Sequence, residues 1–354
     1  MNDMSVIIKD TTEKIMQDLC TKEVIERAER GVYPMELWSA LVETGLTAIG
    51  IEEESGGAGG SLTDALAVLR IAGKYSAPVP LAETIMANWM MARAGLPLLE
   101  KRAAVVFEER NVTFTESSEG WSVSGTANQV PWASCADSLV VMGQSTEGRM
   151  LAVIDADRCR IQTGANYAGE PRNEVTFTNV GVPAPEAWMV EDMEEDRWLL
   201  AGALVRAAQM TGALERLLHL TVQYSKERSQ FGRPIARFQA VQQQIAVLAG
   251  EVAAASACTD LAVRSFEAGR GGRQIMAAKI RAGEAASCGV PIAHQVHGAI
   301  GFTDEHVLQQ STRRLWSWRD EFKTESYWAK RLGEEVLGGG ADGLWPFVTA
   351  LNQA

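Results

Sequence analysis

The chain reads as an α+β multidomain protein with three parts. These are an N-terminal helical domain over residues 1–100, a central β-barrel-like domain over 101–192 and a C-terminal four-helix bundle over 193–354. From about Asp10 to Leu98, apolar positions recur at three- and four-residue spacing with turn signals between runs. From about Arg102 to Val190 the pattern changes to alternation and β-branched residues. Beyond Met193 the helical period returns in four long runs with few breakers, a pattern that packs as a bundle.

In the first part, Pro34 sits where a first helical residue belongs, ahead of the amphipathic Met35-Glu36-Leu37-Trp38-Ser39-Ala40-Leu41. Gly56-Gly57-Ala58-Gly59-Gly60 forces a loop, and Ser61 with Asp64 three residues on marks a helix start. A glycine-rich loop opening a helix suits phosphate. This one has no lysine and no preceding strand, and Glu52 to Glu54 would repel an anion.

In the second part, six stretches predict strands joined by short polar turns: 103–107, 111–115, 120–125, 138–142, 150–154 and 174–178. In the third, helices are predicted over Trp198 to Tyr224, Phe238 to Glu267, Arg273 to Val296 and Asp320 to Leu337. Alanine-rich faces such as Ala253-Ala254-Ala255 permit close helix approach.

With 354 residues, 46% of them hydrophobic, the chain can bury cores for two or three domains. A net charge of -12 argues against nucleic acid and anionic membranes as partners, so any anionic ligand needs a local cluster of cations. The five cysteines, Cys20, Cys135, Cys159, Cys258 and Cys288, are odd in number and widely spaced, which fits free thiols in a reducing compartment. No long uninterrupted apolar run occurs and the amino terminus lacks a signal pattern, so a cytoplasmic protein without membrane insertion is expected.

The stretch Tyr224 to Gln244 carries the strongest local chemistry. It ends a helix on Lys226-Glu227-Arg228, breaks at Gly232 and Pro234, and restarts at once. Arg228, Gln230 and Phe231 are thereby presented on a turn, with Gln239 just into the next helix. A guanidinium, an aromatic ring and two amides suit a phosphate-bearing ligand with a flat ring. The same residue types also suit an ordinary helix hairpin with a charged corner.

Two blocks carry a resemblance. Arg228-Ser229-Gln230-Phe231-Gly232-Arg233-Pro234-Ile235 followed by Phe238-Gln239, and Gln295-Val296-His297-Gly298-Ala299-Ile300-Gly301-Phe302-Thr303 about sixty residues later, resemble the acyl-CoA dehydrogenase family. Leu37-Trp38, Glu43-Thr44-Gly45-Leu46 and the 51–60 stretch match as well.

The resemblance implies FAD as cofactor, an acyl-CoA substrate, an electron-transfer acceptor protein and a homo- or heterotetramer. It implies that Arg228, Gln230 and Phe231 contact the dinucleotide of a neighbouring subunit's flavin, with Ile235, Gln239, Gln295, Gly298, Ala299 and Thr324 at other cofactor-lining positions.

The reaction it implies takes a proton from the carbon beside the thioester and passes a hydride from the next carbon to the flavin, which needs a carboxylate base. Where the family places a glutamate after the glycine-rich block, this chain has Phe322, with Glu321 one residue away. A minority pattern, Glu-Arg-x-x-x-Ala-Gly, reads here Asp196-Arg197-Trp198-Leu199-Leu200-Ala201-Gly202, so Asp196 is a second candidate or else an acidic first-turn residue favoured by the helix dipole. The family's Thr-Glu-Pro-x-x-Gly-Ser loop is reduced to Phe114-Thr115-Glu116-Ser117-Ser118-Glu119-Gly120, and its Trp-x-Thr/Ser element is offset to Trp132 and Ser134.

This pattern resembles the base-poor subunit of bacterial heteromeric members active in steroid side-chain breakdown. The expectation is a flavin-dependent acyl-CoA dehydrogenase subunit whose partner supplies the base. The alternative is a catalytically inactive structural or regulatory subunit of the same fold.

The four histidines have no metal-binding spacing, and His297 reads either as a structural histidine or as a cofactor contact. Arg313, Arg314 and Arg319 suit either a coenzyme A phosphate or an acidic partner surface.

Overall fold

Apolar periodicity translates directly into helices at both ends of the chain. In the computed structural model, which describes residues 3–107, 111–190 and 195–350, the first helices are α1 (Asp3–Leu19), α2 (Lys22–Glu29), α3 (Met35–Glu43), α4 (Leu62–Lys74) and α5 (Leu81–Arg93). The strands follow: β1 (Ala103–Phe107), β2 (Val112–Ser117), β3 (Gly120–Pro131), β4 (Ser138–Gln144), β5 (Arg149–Asp155), β6 (Arg160–Gln162), β7 (Arg172–Pro183) and β8 (Ala187–Met189). Then come α6 (Glu195–Glu227), the small strands β9 (Ser229–Gln230) and β10 (Arg233–Pro234), α7 (Gln239–Glu267), α8 (Gly272–His297), α9 (Leu308–Asp320), α10 (Glu325–Gly338) and α11 (Leu344–Ala350).

Two units emerge from the contacts. One contains Met1–Ile25, Leu62–Ala77 and Leu199–Ala354, and the other contains Glu26–Ser61 and Pro78–Trp198.

In the helical unit, α4 and α6 approach backbone to backbone. A Cβ on Gly73 would strike the Gln209 carbonyl, and one on Gly212 would strike that of Arg70. Beside this crossing, the Arg70 guanidinium pairs with Glu215 on α6 and with Asp260 on α7 at 2.7 Å.

In the sheet unit, β3 and β7 form the longest antiparallel pair, with register shifts between Val123 and Gly125 and between Ala127 and Val130. Such bulges bend the strand and increase its twist. One apolar core, including Val106, Phe114, Val123, Val141, Ile154, Val175 and Phe177, collects the inward faces of strands along the whole sheet.

Two expectations are corrected. The sheet is not a closed barrel: its order runs β6-β7-β3-β2-β4-β5-β8 with β1 alongside β4, and its ends β6 and β8 do not pair with each other among the described residues. Both end strands are only three residues long, which limits edge pairing without closure.

The carboxy-terminal part is helix-rich rather than a bundle of four long helices. The run expected to be helical over Asp320 to Leu337 is interrupted by a turn between α9 and α10. There Phe322 and Lys323 adopt φ of 50° and 72°, which no α-helix accommodates.

The five cysteines are free thiols. Among the described residues one helix, Gln239–Glu267, is long and apolar enough to cross a membrane by length and composition. Its sequence is interrupted by Gln242-Gln243-Gln244 and by Glu251.

Candidate functional site

The break between α6 and α7 is a two-residue hairpin. Gln230 pairs with Arg233 across β9 and β10, and the tip residues Phe231 and Gly232 both have positive φ, 51° and 78°. Two left-handed residues in succession are what a tight hairpin matching the strand twist requires. Glycine takes that conformation freely, whereas a bulky phenylalanine does so at a cost of roughly 1–3 kcal/mol. The result is a ring 93% exposed, standing off the surface.

The hairpin hangs from α6 by backbone. The Arg228 N–H donates to Tyr224 O at 2.8 Å, and the Ile235 N–H donates to Arg228 O at 2.8 Å. The Arg233 guanidinium lies over the Phe238 ring at 4.4 Å, and Phe231 meets Phe238 edge-on at 6.2 Å.

Between this hairpin, the start of α7 and the end of α8 runs an open groove of about 350 Å³. It is lined by Gln230, Phe231, Ile235, Phe238, Ala240, Val241, Gln244, Gln295 and Val296. Four residues expected to line a cofactor, Gln230, Phe231, Ile235 and Gln295, are thus brought together from segments far apart in sequence. Arg228 and Gln239 are exposed on the flanks, and Gly298 and Ala299 lie just past the end of α8, where Gly298 takes φ of 67°. Thr324 lies apart from these, at the start of α10.

Phe238, Ala240, Val241, Gln244 and Val296 also line the groove and were not among the expected cofactor residues. For the α7 residues, the 240, 241, 244 spacing on one helical face carried a usable signal.

The carboxylate candidates stand differently. Asp196 falls in the first turn of α6, and its side chain lies outside the described residues. Glu321 closes α9 and accepts from the Arg206 guanidinium at 2.6 Å, and Arg206 itself is almost fully buried and bonds Gln209. Phe322 packs on α6, where a Cβ at Gly202 would overlap its ring, and Arg206 lies 5.8 Å from the same ring.

The turn is pinned by a buried ammonium. Lys279 Nζ donates to Arg319 O at 2.6 Å and to Lys323 O at 3.1 Å, while Trp328 Nε1 donates to Phe322 O at 3.0 Å. Burial pushes the Lys279 pKa down to about 8, against the opposing pull of Glu325, Glu321 and Asp320. Sequence periodicity could not find this lysine, because a buried cation on an apolar face resembles a surface one in one dimension.

Of the three arginines near this region, Arg314 is fully buried and bonds Gln310 O, Arg319 pairs with Glu325, and Arg313 bonds Gln309. In the sheet unit, Trp132 is buried in a left-handed conformation with φ of 61°, and the Ser134 N–H donates to Asn173 Oδ1 at 2.9 Å. No cluster of three or more His, Cys, Asp or Glu poised for a metal occurs among the described residues.

Comparison with known proteins gives a consistent picture. The family model described as acyl-CoA dehydrogenase, N-terminal domain, matches residues 3–103, and that described as acyl-CoA dehydrogenase, C-terminal domain, matches residues 196–317. The acyl-CoA dehydrogenase IpdE2 of Mycolicibacterium smegmatis is 31% identical over 320 residues, covering 89% of this chain and 93% of that protein. A solved variant of the Tcur3481-Tcur3483 steroid ACAD aligns over 96% of this chain and 99% of its own, with 27% identity and a TM-score of 0.86. The ChsE4-ChsE5 complex from Mycobacterium tuberculosis has the same fold, with a TM-score of 0.86 at 21% identity over 95% of this chain and 98% of that one.

Proposed function

Because the chain belongs to the acyl-CoA dehydrogenase family, we propose that it is a flavin-dependent acyl-CoA dehydrogenase subunit, active in a tetramer with a paralogous subunit that supplies the catalytic base. The observation that carries this reading is the groove: Gln230, Phe231 and Ile235 from the hairpin face Gln295 from α8, all at the surface of the chain.

The groove's chemistry fits FAD. Phe231 and Phe238 offer flat apolar surface, Gln230, Gln244 and Gln295 offer amides, and Arg228 offers an exposed guanidinium suited to a phosphate bridge. A phenyl ring so exposed gains most by burial against a ligand or a neighbouring chain. FAD, when bound, accepts the hydride in the α,β-desaturation of an acyl-CoA thioester.

The chain's own residues would bind and orient that cofactor from across a subunit boundary. The partner's contribution is supported by the region expected to hold the base, where Phe322 offers no proton acceptor and Glu321 is engaged by Arg206. The ChsE4-ChsE5 complex occurs among structures of this fold, which supports a paralogous partner here.

The test is purification alone and with the product of a neighbouring paralogous gene, followed by an absorbance scan and an acyl-CoA panel. A flavin spectrum with turnover only in the co-purified complex is expected. Flavin and full activity in the single chain would overturn the partner assignment, and absence of flavin from both preparations would favour an inactive structural subunit.

A further inference from the structure

Three of the four histidines, His294, His297 and His306, lie close together at the end of α8 and just before α9. The His297 ring stacks on Tyr224 with centroids 4.5 Å apart and planes 23° from parallel, and it meets His306 at 4.7 Å. His306 also lies edge-on to Tyr224 at 6.0 Å, and His294 stacks on Phe302 at 4.1 Å. Both ends of the Tyr224–His297 stack are tied to the groove. Tyr224 O accepts the N–H of Arg228, from which the hairpin hangs, and His297 directly follows the lining residues Gln295 and Val296.

The hydrogen bonds define the ring's protonation. His297 Nδ1 lies 2.7 Å from Ala293 O, a carbonyl that can only accept, so Nδ1 carries the proton. Nε2 is buried with no hydrogen-bond partner among the described residues, in a residue 3% exposed. A neutral ring leaves only a lone pair there. A second proton would create a buried cation whose new N–H has no acceptor, which is costly.

We propose that His297 is the positioning residue of the groove: its neutral ring, stacked on Tyr224, clamps the end of α8 to the end of α6, and proton uptake releases the hairpin. This rests on the flavin reading only for the identity of the ligand that is lost; the clamp itself is a property of the free chain.

The titratable and charged groups facing the cluster are Tyr224, Arg216 and Glu227 from α6, Lys22 from α2, His294 from α8 and His306 from the turn before α9. Glu227 is the single countercharge among them, against Lys22 and Arg216, so the surroundings do not welcome a further cation. Burial lowers the His297 pKa, the Ala293 hydrogen bond opposes this, and His306 lowers it further. The closed groove therefore prefers the neutral ring, while an opened ring titrates at the ordinary histidine value. As pH falls below about 6.5, opening is favoured by up to about tenfold per pH unit, until the closed ring also takes a proton.

The test is amide hydrogen exchange of the ligand-free chain between about pH 7.5 and about pH 5.5, corrected for intrinsic rates, following the Arg228 and Ile235 amides. Wild-type protection is expected to fall by up to about tenfold. His297→Phe, which keeps a ring for the stack but cannot titrate, is expected to give a flat profile, and His306→Gln to retain the fall. A flat wild-type profile, a fall that persists in His297→Phe, or one that disappears in His306→Gln instead would each overturn the assignment.

Should His297→Phe fail to fold, histidine NMR of the wild type decides. The His297 titration must coincide with the loss of protection, and a mismatch overturns the clamp. Flavin fluorescence over the same pH range separates the two readings. Normal exchange behaviour with no flavin bound in any preparation supports the clamp and sinks the flavin reading. Flavin binding with pH-independent exchange does the reverse.

Discussion

The Phe322 ring lies directly against Gly202, in a space that any side chain at Gly202 would invade. The position where the resemblance calls for a glutamate thus holds an aromatic ring packed on α6. Replacing Gly202 with Ala should destabilise the chain by about 1–3 kcal/mol through overpacking. Phe322→Ala should itself cost stability by leaving a cavity, yet the double variant should be more stable than the two single losses predict. A urea double-mutant cycle checks this, and strict additivity would mean that ring and glycine are not in contact in solution.

Lys279 makes the 321–324 turn sensitive to base rather than acid. Its folded pKa of about 8 lies below the unfolded value near 10.5, so between these values the unfolded chain holds more protons and stability rises with pH. The gain should reach up to about 3 kcal/mol across that window, at about 1.4 kcal/mol per unit. Lys279→Met should lose this rise while also loosening the Arg319 and Lys323 carbonyls it holds. Chemical denaturation at several alkaline pH values measures both effects, and a variant whose pH slope matches the wild type would refute the assignment.

At Phe231 the cost of a left-handed backbone is set against the proposed flavin contact. Because its left-handed backbone is tolerated better by asparagine, Phe231→Asn should raise stability by up to about 1 kcal/mol. The same change removes the exposed ring from the groove and should weaken flavin retention by tenfold or more, about 1.4 kcal/mol. Melting curves and flavin titration of the co-purified protein read the two effects separately.

In the sheet unit, Asp137 accepts from Arg102 Nε at 2.9 Å and from its NH2 at 2.7 Å. These hydrogen bonds hold its carboxyl below the usual aspartate range, so the pair's contribution is present above the unfolded value of about 3.8 and is lost as pH falls through the folded one. Both groups are partly exposed, which limits the effect to about 1 kcal/mol. Asp137→Asn should lower the midpoint of denaturation at neutral pH, and the difference from the wild type should shrink as pH falls below the usual aspartate range.

Helices at both ends and strands between them were legible in the sequence, because burial of one face imposes a period of 3.6 or 2 on apolar residues and that period survives in one dimension. The helix break at Gly232 and Pro234 was legible for a similar reason, since these residues act through local sterics, whereas the two-strand hairpin that fills the break was not. Tertiary structure alone decided the rest. Whether the strands close depends on the length and spacing of the end strands β6 and β8, two three-residue segments that alternation could not reveal. The interruption at 321–324 depends on Lys279, Trp328 and Arg206 reaching it from other helices, partners that outweigh the local preference to continue as helix. The joining of Gln230 to Gln295 and the stacking of His297 on Tyr224 likewise come from how α6, α7 and α8 pack, because contacts between distant segments leave no periodic trace in the residues that make them.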